Sequence, residues 1–275
     1  MNLGIFAKIF ERSTVEAVFE AVQSHGLNAV QFNMSCAGLP SLPDEIDPAV
    51  TARIHAAARR SGVTIAAVSG TYNMIHPDPQ VRQRNLHRLR TLAHACRDLG
   101  TSVITLCTGT RDAADMWRWH PQNASPEAWS DLLKEMEAAL TIAEEAQVTL
   151  AFEPERVNVI SSAERGYTLL KTLQSPRLKV VIDGANIITA TGERSVNAIL
   201  DEAFHLLGDH IIMAHAKDRG ADDEVRSFGE GIMDFDHYLG LLRAHGFDGP
   251  LIMHGMAEAQ VAAAVQFLRG KLGSE

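Results

Sequence analysis

The chain alternates between short apolar runs and longer segments with helical periodicity. Eight strand-like runs begin near residues 3, 27, 63, 101, 148, 178, 210 and 250. Runs such as VTIAAV, LKVVI and HIIMA are continuously apolar, which is typical of parallel strands covered on both faces. The segments between them repeat apolar residues every three or four positions, as in the stripe of Val15, Val18, Phe19 and Val22. This spacing predicts amphipathic helices, and the whole pattern predicts eight strand–helix units.

The connections between these units are unequal in length. Helix-to-strand connections are short, whereas the strand-to-helix connections at 33–47, 108–127 and 216–233 are long and polar. A (β/α)8 barrel carries its active site on the loops that follow its strands. The sequence therefore predicts an α/β fold of the (β/α)8 TIM-barrel type, as a single domain over residues 1–275. An open doubly wound sheet would need a glycine-rich turn after the first strand, and the segment FAKIFERS (6–13) has none.

Four side chains able to bind a metal stand at the ends of the last four predicted strands. The segments LAFEPE (150–155), VVIDGAN (180–186), IIMAHAKD (211–218) and PLIMHG (250–255) supply them: Glu153, Asp183, His215 and His254. Adjacent strands of one barrel would bring these residues together. Two carboxylates with two imidazoles favour Mn²⁺, Co²⁺ or Zn²⁺ over Mg²⁺. We therefore expect one divalent metal ion as the cofactor.

Charge and hydropathy narrow the range of partners. The chain has 25 basic and 34 acidic residues and a net charge of −9, which disfavours binding to nucleic acid. No apolar run is long enough to span a bilayer, and the first residues lack the features of a secretory signal. These observations predict a cytoplasmic protein with neither a membrane nor a nucleic-acid partner.

The strand-end motifs carry a family resemblance. LAFEPE, VVIDGAN, AHAKD and the turn FGEGIMDF (228–235) resemble the xylose isomerase-like TIM-barrel superfamily, the sugar phosphate isomerase/epimerase group of AP endonuclease 2-type barrels. In its sugar epimerases one metal is held by Glu, Asp, His and a second Glu from the last four strands. Glu153, Asp183 and His215 match the first three positions. The resemblance implies an isomerase or epimerase that moves a proton of a small polyhydroxy carbonyl substrate through a metal-held enediolate, with Glu153 as the base.

The sequence departs from that group at two positions. His254 stands where the second Glu is usual, and Asn186 stands where a His often follows the Asp. The two glutamates of the epimerases act on opposite faces of the substrate, so His254 either ligates the metal or moves the second proton. Three alternatives stay open. The protein could catalyse a one-base isomerisation, it could be a lyase that dehydrates or decarboxylates a sugar acid, or it could be a non-catalytic sugar-binding barrel. An endonuclease IV-like repair enzyme is disfavoured, because the predicted ends of strands 2 and 4 offer no ligands.

Other polar and aromatic residues follow the strands at the same end of the barrel. Lys217 is a catalytic candidate that would stabilise an enediolate, the alternative being a charged residue in a solvated loop. The tryptophan-bearing loop after strand 4 is either a lid or a subunit interface, and an interface there would make the protein a homodimer. The candidates for substrate binding are Tyr72, His76, Trp117, Asn186 and Arg219.

Overall fold

Eight parallel strands close into a barrel in the computed structural model, which describes residues 1–189 and 194–273. The last barrel strand pairs with the first, with Leu251 opposite Leu3 and Met253 opposite Ile5. The predicted TIM-barrel fold is confirmed. The barrel strands are β1 (Asn2–Phe6), β2 (Ala29–Phe32), β3 (Thr64–Ser69), β4 (Val103–Cys107), β5 (Thr149–Glu153), β6 (Leu178–Asp183), β7 (Ile211–Ala216) and β10 (Pro250–Met253). Two further strands, β8 (Asp218–Arg219) and β9 (Val225–Arg226), form an antiparallel hairpin after β7.

Helices follow the strands and cover the outside of the barrel. They are α1 (Val15–Ser24), α2 (Pro48–Arg60), α3 (Pro79–Leu99), α4 (Pro126–Ala146), α5 (Ala163–Leu173), the short α6 (Gly184–Ile187), α7 (Val196–Leu207), α8 (Phe235–Ala244) and α9 (Val261–Leu272). The helices α2, α3 and α4 begin in the same way. A capping Asp or Ser side chain accepts a backbone N–H, and Pro, which has no N–H to satisfy, occupies the first helical position. The helix α3 ends at Gly100, whose φ of 81° is the left-handed conformation of a helix C-cap.

The strands bury both faces, and each face packs against a different partner. Residues such as Leu150, Phe152 and Val180 face the helices and belong to the large outer core. A second, smaller cluster fills the barrel interior with Ala67, Ala151, Val181, Met213 and Ile252. Side chains on a strand alternate between faces, so the residue two positions later points to the same side. That rule places the predicted metal-binding residues at the upper end of the barrel interior.

The described part of the chain contains no helix that is both long enough and apolar enough to cross a membrane. The domain limits 1–275 and the cytoplasmic location stay predictions.

Candidate active site

The four residues predicted as metal ligands lie side by side at the carboxyl end of the barrel. His254 Nε2 is 2.8 Å from Asp183 Oδ2, and His215 Nδ1 is 3.3 Å from Glu153 Oε2. The two imidazole rings are 4.5 Å apart between centroids. Each of the four residues stands two positions after a residue of the interior cluster, as Glu153 does after Ala151. This spacing explains why all four point inward.

Asp183, His215 and His254 form a group that could hold a metal ion, since one donor atom from each lies within 4.8 Å of the others. His215 Nδ1 is buried and has no hydrogen-bond partner among the described residues, although it faces the Glu153 carboxylate. Buried polar atoms are rarely left in this state. A divalent cation would satisfy this nitrogen and the neighbouring carboxylates, so the residues present fit the metal that the donor types indicate.

The charges of the group are set by burial and by close neighbours. Burial opposes ionisation of Asp183, but the Lys217 ammonium and the hydrogen bond with His254 outweigh it and lower the pKa of Asp183. Burial, reinforced by the neighbouring His215, lowers the pKa of His254. Asp183 is therefore a carboxylate and His254 a neutral imidazole near neutral pH. Both are the protonation states that metal binding requires.

Lys217 is buried in this site and is not part of a solvated loop. Its ammonium lies 3.4 Å from Asp183 Oδ2 and donates a hydrogen bond to the side-chain carbonyl of Asn186. The amide nitrogen of Asn186 in turn donates to Glu153. Asn186 thus links the ammonium to the carboxylate predicted as the base, and it also lines the cavity.

The segment after Lys217 is folded around one buried carboxylate. Asp218 accepts hydrogen bonds from the backbone N–H groups of Arg219, Gly229, Gly231 and Met233, at 2.9, 2.9, 3.0 and 3.2 Å. A Cβ at Gly231 would lie 2.1 Å from Asp218 Oδ1, so glycine is needed there. The motifs AHAKD and FGEGIM therefore form a single unit that fixes the backbone beneath Lys217.

A cavity of about 370 Å³ opens above these residues, a volume within the range of small-molecule sites. Ionisable side chains from β5 to β10 form one wall. Lys8, from the segment after β1, also lines the cavity. The rest of the lining includes uncharged polar residues, which are Gln31, Asn33, Ser41, Ser69, Thr71 and Thr105. Hydroxyl and amide groups of this kind can pair with the hydroxyl groups of a sugar.

The cavity rim includes Trp117, which is 55% exposed. Its neighbour Trp119 is 54% exposed and does not line the cavity. The choice between a lid and a subunit interface, and with it the predicted homodimer, stays open.

Three predicted substrate contacts do not line the cavity. Thr71 lines the cavity, and the next residue, Tyr72, points into the outer core. Burial there raises the pKa of the Tyr72 hydroxyl, and the charge of Glu135 raises it further. His76 links its own loop to the loop after β4, with Nε2 3.2 Å from the carbonyl oxygen of Ala113. Arg219 lies 3.8 Å from Asp223 in the hairpin after β7. The geometry gives no support to substrate binding by Tyr72, His76 or Arg219.

Several residues that line the cavity are not among the predicted site residues, and Glu155 and Gln31 are two of them. Glu155 follows Glu153 by two positions, and this spacing was the available signal. Burial, together with the charge of Glu153, raises the pKa of Glu155 to about 7. Gln31 is a polar residue within the apolar strand AVQF, which was also a signal, and it contacts His215.

Comparison with known families assigns the class of protein. A model of the family described as xylose isomerase-like TIM barrel matches residues 19–271. The chain belongs to that family, and the predicted resemblance is confirmed.

Among characterised relatives, the chain is similar to L-ribulose-5-phosphate 3-epimerase UlaE. It is 27% identical over 203 residues to UlaE of Escherichia coli K12, which is 71% of this chain and 66% of the relative. It is 25% identical over 209 residues to UlaE of Shigella flexneri, with 73% and 68% covered. The chain thus spans slightly less than two thirds of the length of the E. coli protein.

Solved structures share the fold across almost the whole chain. The apo form of 3-keto-D-glucoside 4-epimerase YcjR from E. coli has a TM-score of 0.76 at 15% identity, covering 99% of both chains. D-psicose 3-epimerase with D-tagatose from Clostridium cellulolyticum H10 has a TM-score of 0.74 at 18% identity, also covering 99% of both. At these identities the likeness establishes the fold.

Proposed function

We propose that the protein is a divalent-metal-dependent isomerase or epimerase of a sugar or sugar derivative. The observation that carries the proposal is the convergence of Asp183, His215 and His254, with Glu153 beside His215, at the base of a polar cavity. The epimerase activity named for the UlaE relatives supports a sugar as the substrate.

The residues divide the chemistry of proton transfer among them. A bound divalent cation supplies Lewis-acid chemistry, which makes the C–H bond beside the substrate carbonyl more acidic. Glu153 takes the proton as the base, and the hydrogen bond from Asn186 fixes the orientation of its carboxylate. Lys217, held between Asp183 and Asn186, places a positive charge where negative charge develops on the substrate oxygen.

His254 acts as a ligand in this proposal. One ring nitrogen of His254 lies within 4.8 Å of donor atoms of Asp183 and His215, and the ring is buried beside His215. A neutral imidazole can give one lone pair to a metal but cannot at the same time carry a substrate proton on that nitrogen. We therefore assign the base role to Glu153 alone, which suits isomerisation, whereas epimerisation would need a second proton donor on the opposite face of the substrate.

Solvent exchange tests the proposal. Purified protein is incubated in D₂O with Mn²⁺, Co²⁺ or Zn²⁺ and a panel of ketoses and their phosphates. We expect metal-dependent deuterium incorporation at the carbon beside the carbonyl. Glu153→Gln should slow exchange by at least about 10²-fold, the usual contribution of a positioned base. Glu230→Gln is the matched control, because Glu230 is exposed and outside the cavity lining.

The outcome also separates the alternatives. If the protein binds metal and the substrate loses water or carbon dioxide without forming an isomerised sugar, the protein is a lyase. Stoichiometric sugar binding with no exchange on any substrate of the panel would indicate a non-catalytic barrel and would refute the proposal.

A further inference from the structure

We propose that Gln31 is a positioning residue that fixes the tautomer of His215, so that Nδ1 is the nitrogen offered to the metal. The inference rests on the proposed metal-dependent function. Gln31 lies on β2 within the apolar strand AVQF and is only 4% exposed. A buried amide in such surroundings needs partners for both of its ends.

Both ends of the Gln31 amide have a buried partner. Its nitrogen donates to Thr105 Oγ1 at 3.1 Å, and its oxygen lies 2.7 Å from His215 Nε2. Thr105 and His215 are 4% and 5% exposed. The three side chains therefore connect β4, β2 and β7 across the upper end of the barrel interior, with little exposure to solvent.

This arrangement determines where the imidazole carries its hydrogen. An amide oxygen can only accept a hydrogen bond, so His215 Nε2 must be the donor. A neutral imidazole has one N–H group, which leaves a lone pair on Nδ1. That nitrogen is the buried atom without a hydrogen-bond partner, and it faces Glu153 Oε2 at 3.3 Å.

Without Gln31, a competing arrangement would become favourable. His215 could place its hydrogen on Nδ1 and donate it to the Glu153 carboxylate, since the two atoms are already close. That pairing would consume a metal ligand and the proposed base together. By holding the hydrogen on Nε2, Gln31 keeps both groups available, as outer partners of metal-binding histidines commonly do.

Three substitutions separate the role of the hydrogen bond from that of packing. Gln31→Met keeps the length of the side chain but removes the acceptor. Gln31→Glu keeps an acceptor oxygen next to His215 Nε2. Thr105→Val preserves shape but removes the group that orients the amide. Ser69→Ala is the control, because Ser69 lines the same cavity but its side chain hydrogen-bonds to Thr71 and not to His215.

Two measurements read the result without using enzyme activity. The first is the affinity for Zn²⁺ in competition with a chromophoric chelator. The second is the nitrogen spectrum of protein labelled with ¹⁵N-histidine and loaded with Zn²⁺, which distinguishes a metal-bound nitrogen from an N–H. Circular dichroism and a thermal melt establish that each variant is folded, and if Gln31→Met does not fold, Thr105→Val supplies the test.

We expect wild-type His215 to bind zinc through Nδ1 with the hydrogen on Nε2. Gln31→Met should lose about 10–100-fold in zinc affinity, the usual effect of losing an outer partner, and Thr105→Val should lose less. Gln31→Glu should keep the zinc affinity and the nitrogen spectrum close to those of the wild type. Ser69→Ala should match the wild type in both measurements. Equal affinity in Gln31→Met, or zinc bound through Nε2 in the wild type, would overturn the inference while leaving the proposed function intact. If the wild type binds no divalent metal, the proposed function and the inference both fail.

Discussion

Replacing Asp218 by Asn should destabilise the segment that carries Lys217. Each oxygen of the Asp218 carboxylate accepts two backbone N–H groups, and the carboxylate is buried. Asn has nearly the same shape but only one acceptor oxygen. Whichever way its amide turns, an NH₂ group will face two N–H donors, so one pair of hydrogen bonds is lost.

The size of the effect follows from these contacts. A hydrogen bond to a charged group contributes about 1.5–3 kcal/mol, so the loss of two should cost about 3–6 kcal/mol of unfolding free energy. This is a large share of the roughly 5–15 kcal/mol stability of a typical protein. Gly231→Ala should disrupt the same hydrogen bonds, because the added Cβ would clash with Asp218 Oδ1. The two substitutions should therefore be strongly non-additive in a double-mutant cycle.

Urea denaturation and amide hydrogen exchange measure the result. We expect a lower unfolding free energy for Asp218→Asn, with faster exchange at the amides of Gly229 and Gly231. Asp222→Asn is the control, since Asp222 is an exposed carboxylate of the same segment and pairs with Arg226 at the surface. An Asp218→Asn protein within 1 kcal/mol of wild type, with unchanged exchange, would refute the reasoning.

Three further predictions concern pH, the outer core and metal removal. In chelator-treated protein, Glu155→Gln should gain stability over wild type as pH rises from about 4.5 to above 7, by up to roughly 3 kcal/mol in urea melts. The sign follows because burial raises the pKa of Glu155 to about 7, so ionisation is penalised in the folded state. Tyr238→Phe should cost about 1–2 kcal/mol in the same melts, because its buried hydroxyl lies 3.1 Å from the carbonyl oxygen of Ile182 and 3.0 Å from that of His215. Chelation should lower the melting temperature, and Zn²⁺ at 100 times its Kd should restore about 2.7 kcal/mol, whereas an unchanged melt would contradict a bound metal.

The fold was predictable because its signals are local and repeated. Continuous apolar runs, helical stripes and unequal loops recur along the chain, and each recurrence supports the same barrel. The convergence of the four candidate ligands followed from one further rule, that the carboxyl ends of adjacent parallel strands meet at the same end of a barrel. Neither step required knowledge of side-chain contacts.

Whether a predicted residue lines the cavity, and which further residues do so, depends on contacts that no local pattern encodes. Tyr72 and Thr71 are adjacent at the end of one strand, and only the packed structure shows which of them faces the cavity. Gln31 is distant in sequence from His215, and their contact depends on closure of the barrel. Strand periodicity assigns a residue to a face, whereas partners across the interior are set by register and side-chain length.

The presence of His254 and the burial of Lys217 are physically connected. A Glu at position 254 would add a third carboxylate beside Glu153 and Asp183, and it would compete for the ammonium of Lys217. A neutral imidazole there leaves Lys217 with one carboxylate contact, at 3.4 Å, and one amide contact. Its charge is then less fully neutralised within the protein. In the proposed mechanism, this would strengthen its attraction to negative charge on a substrate oxygen.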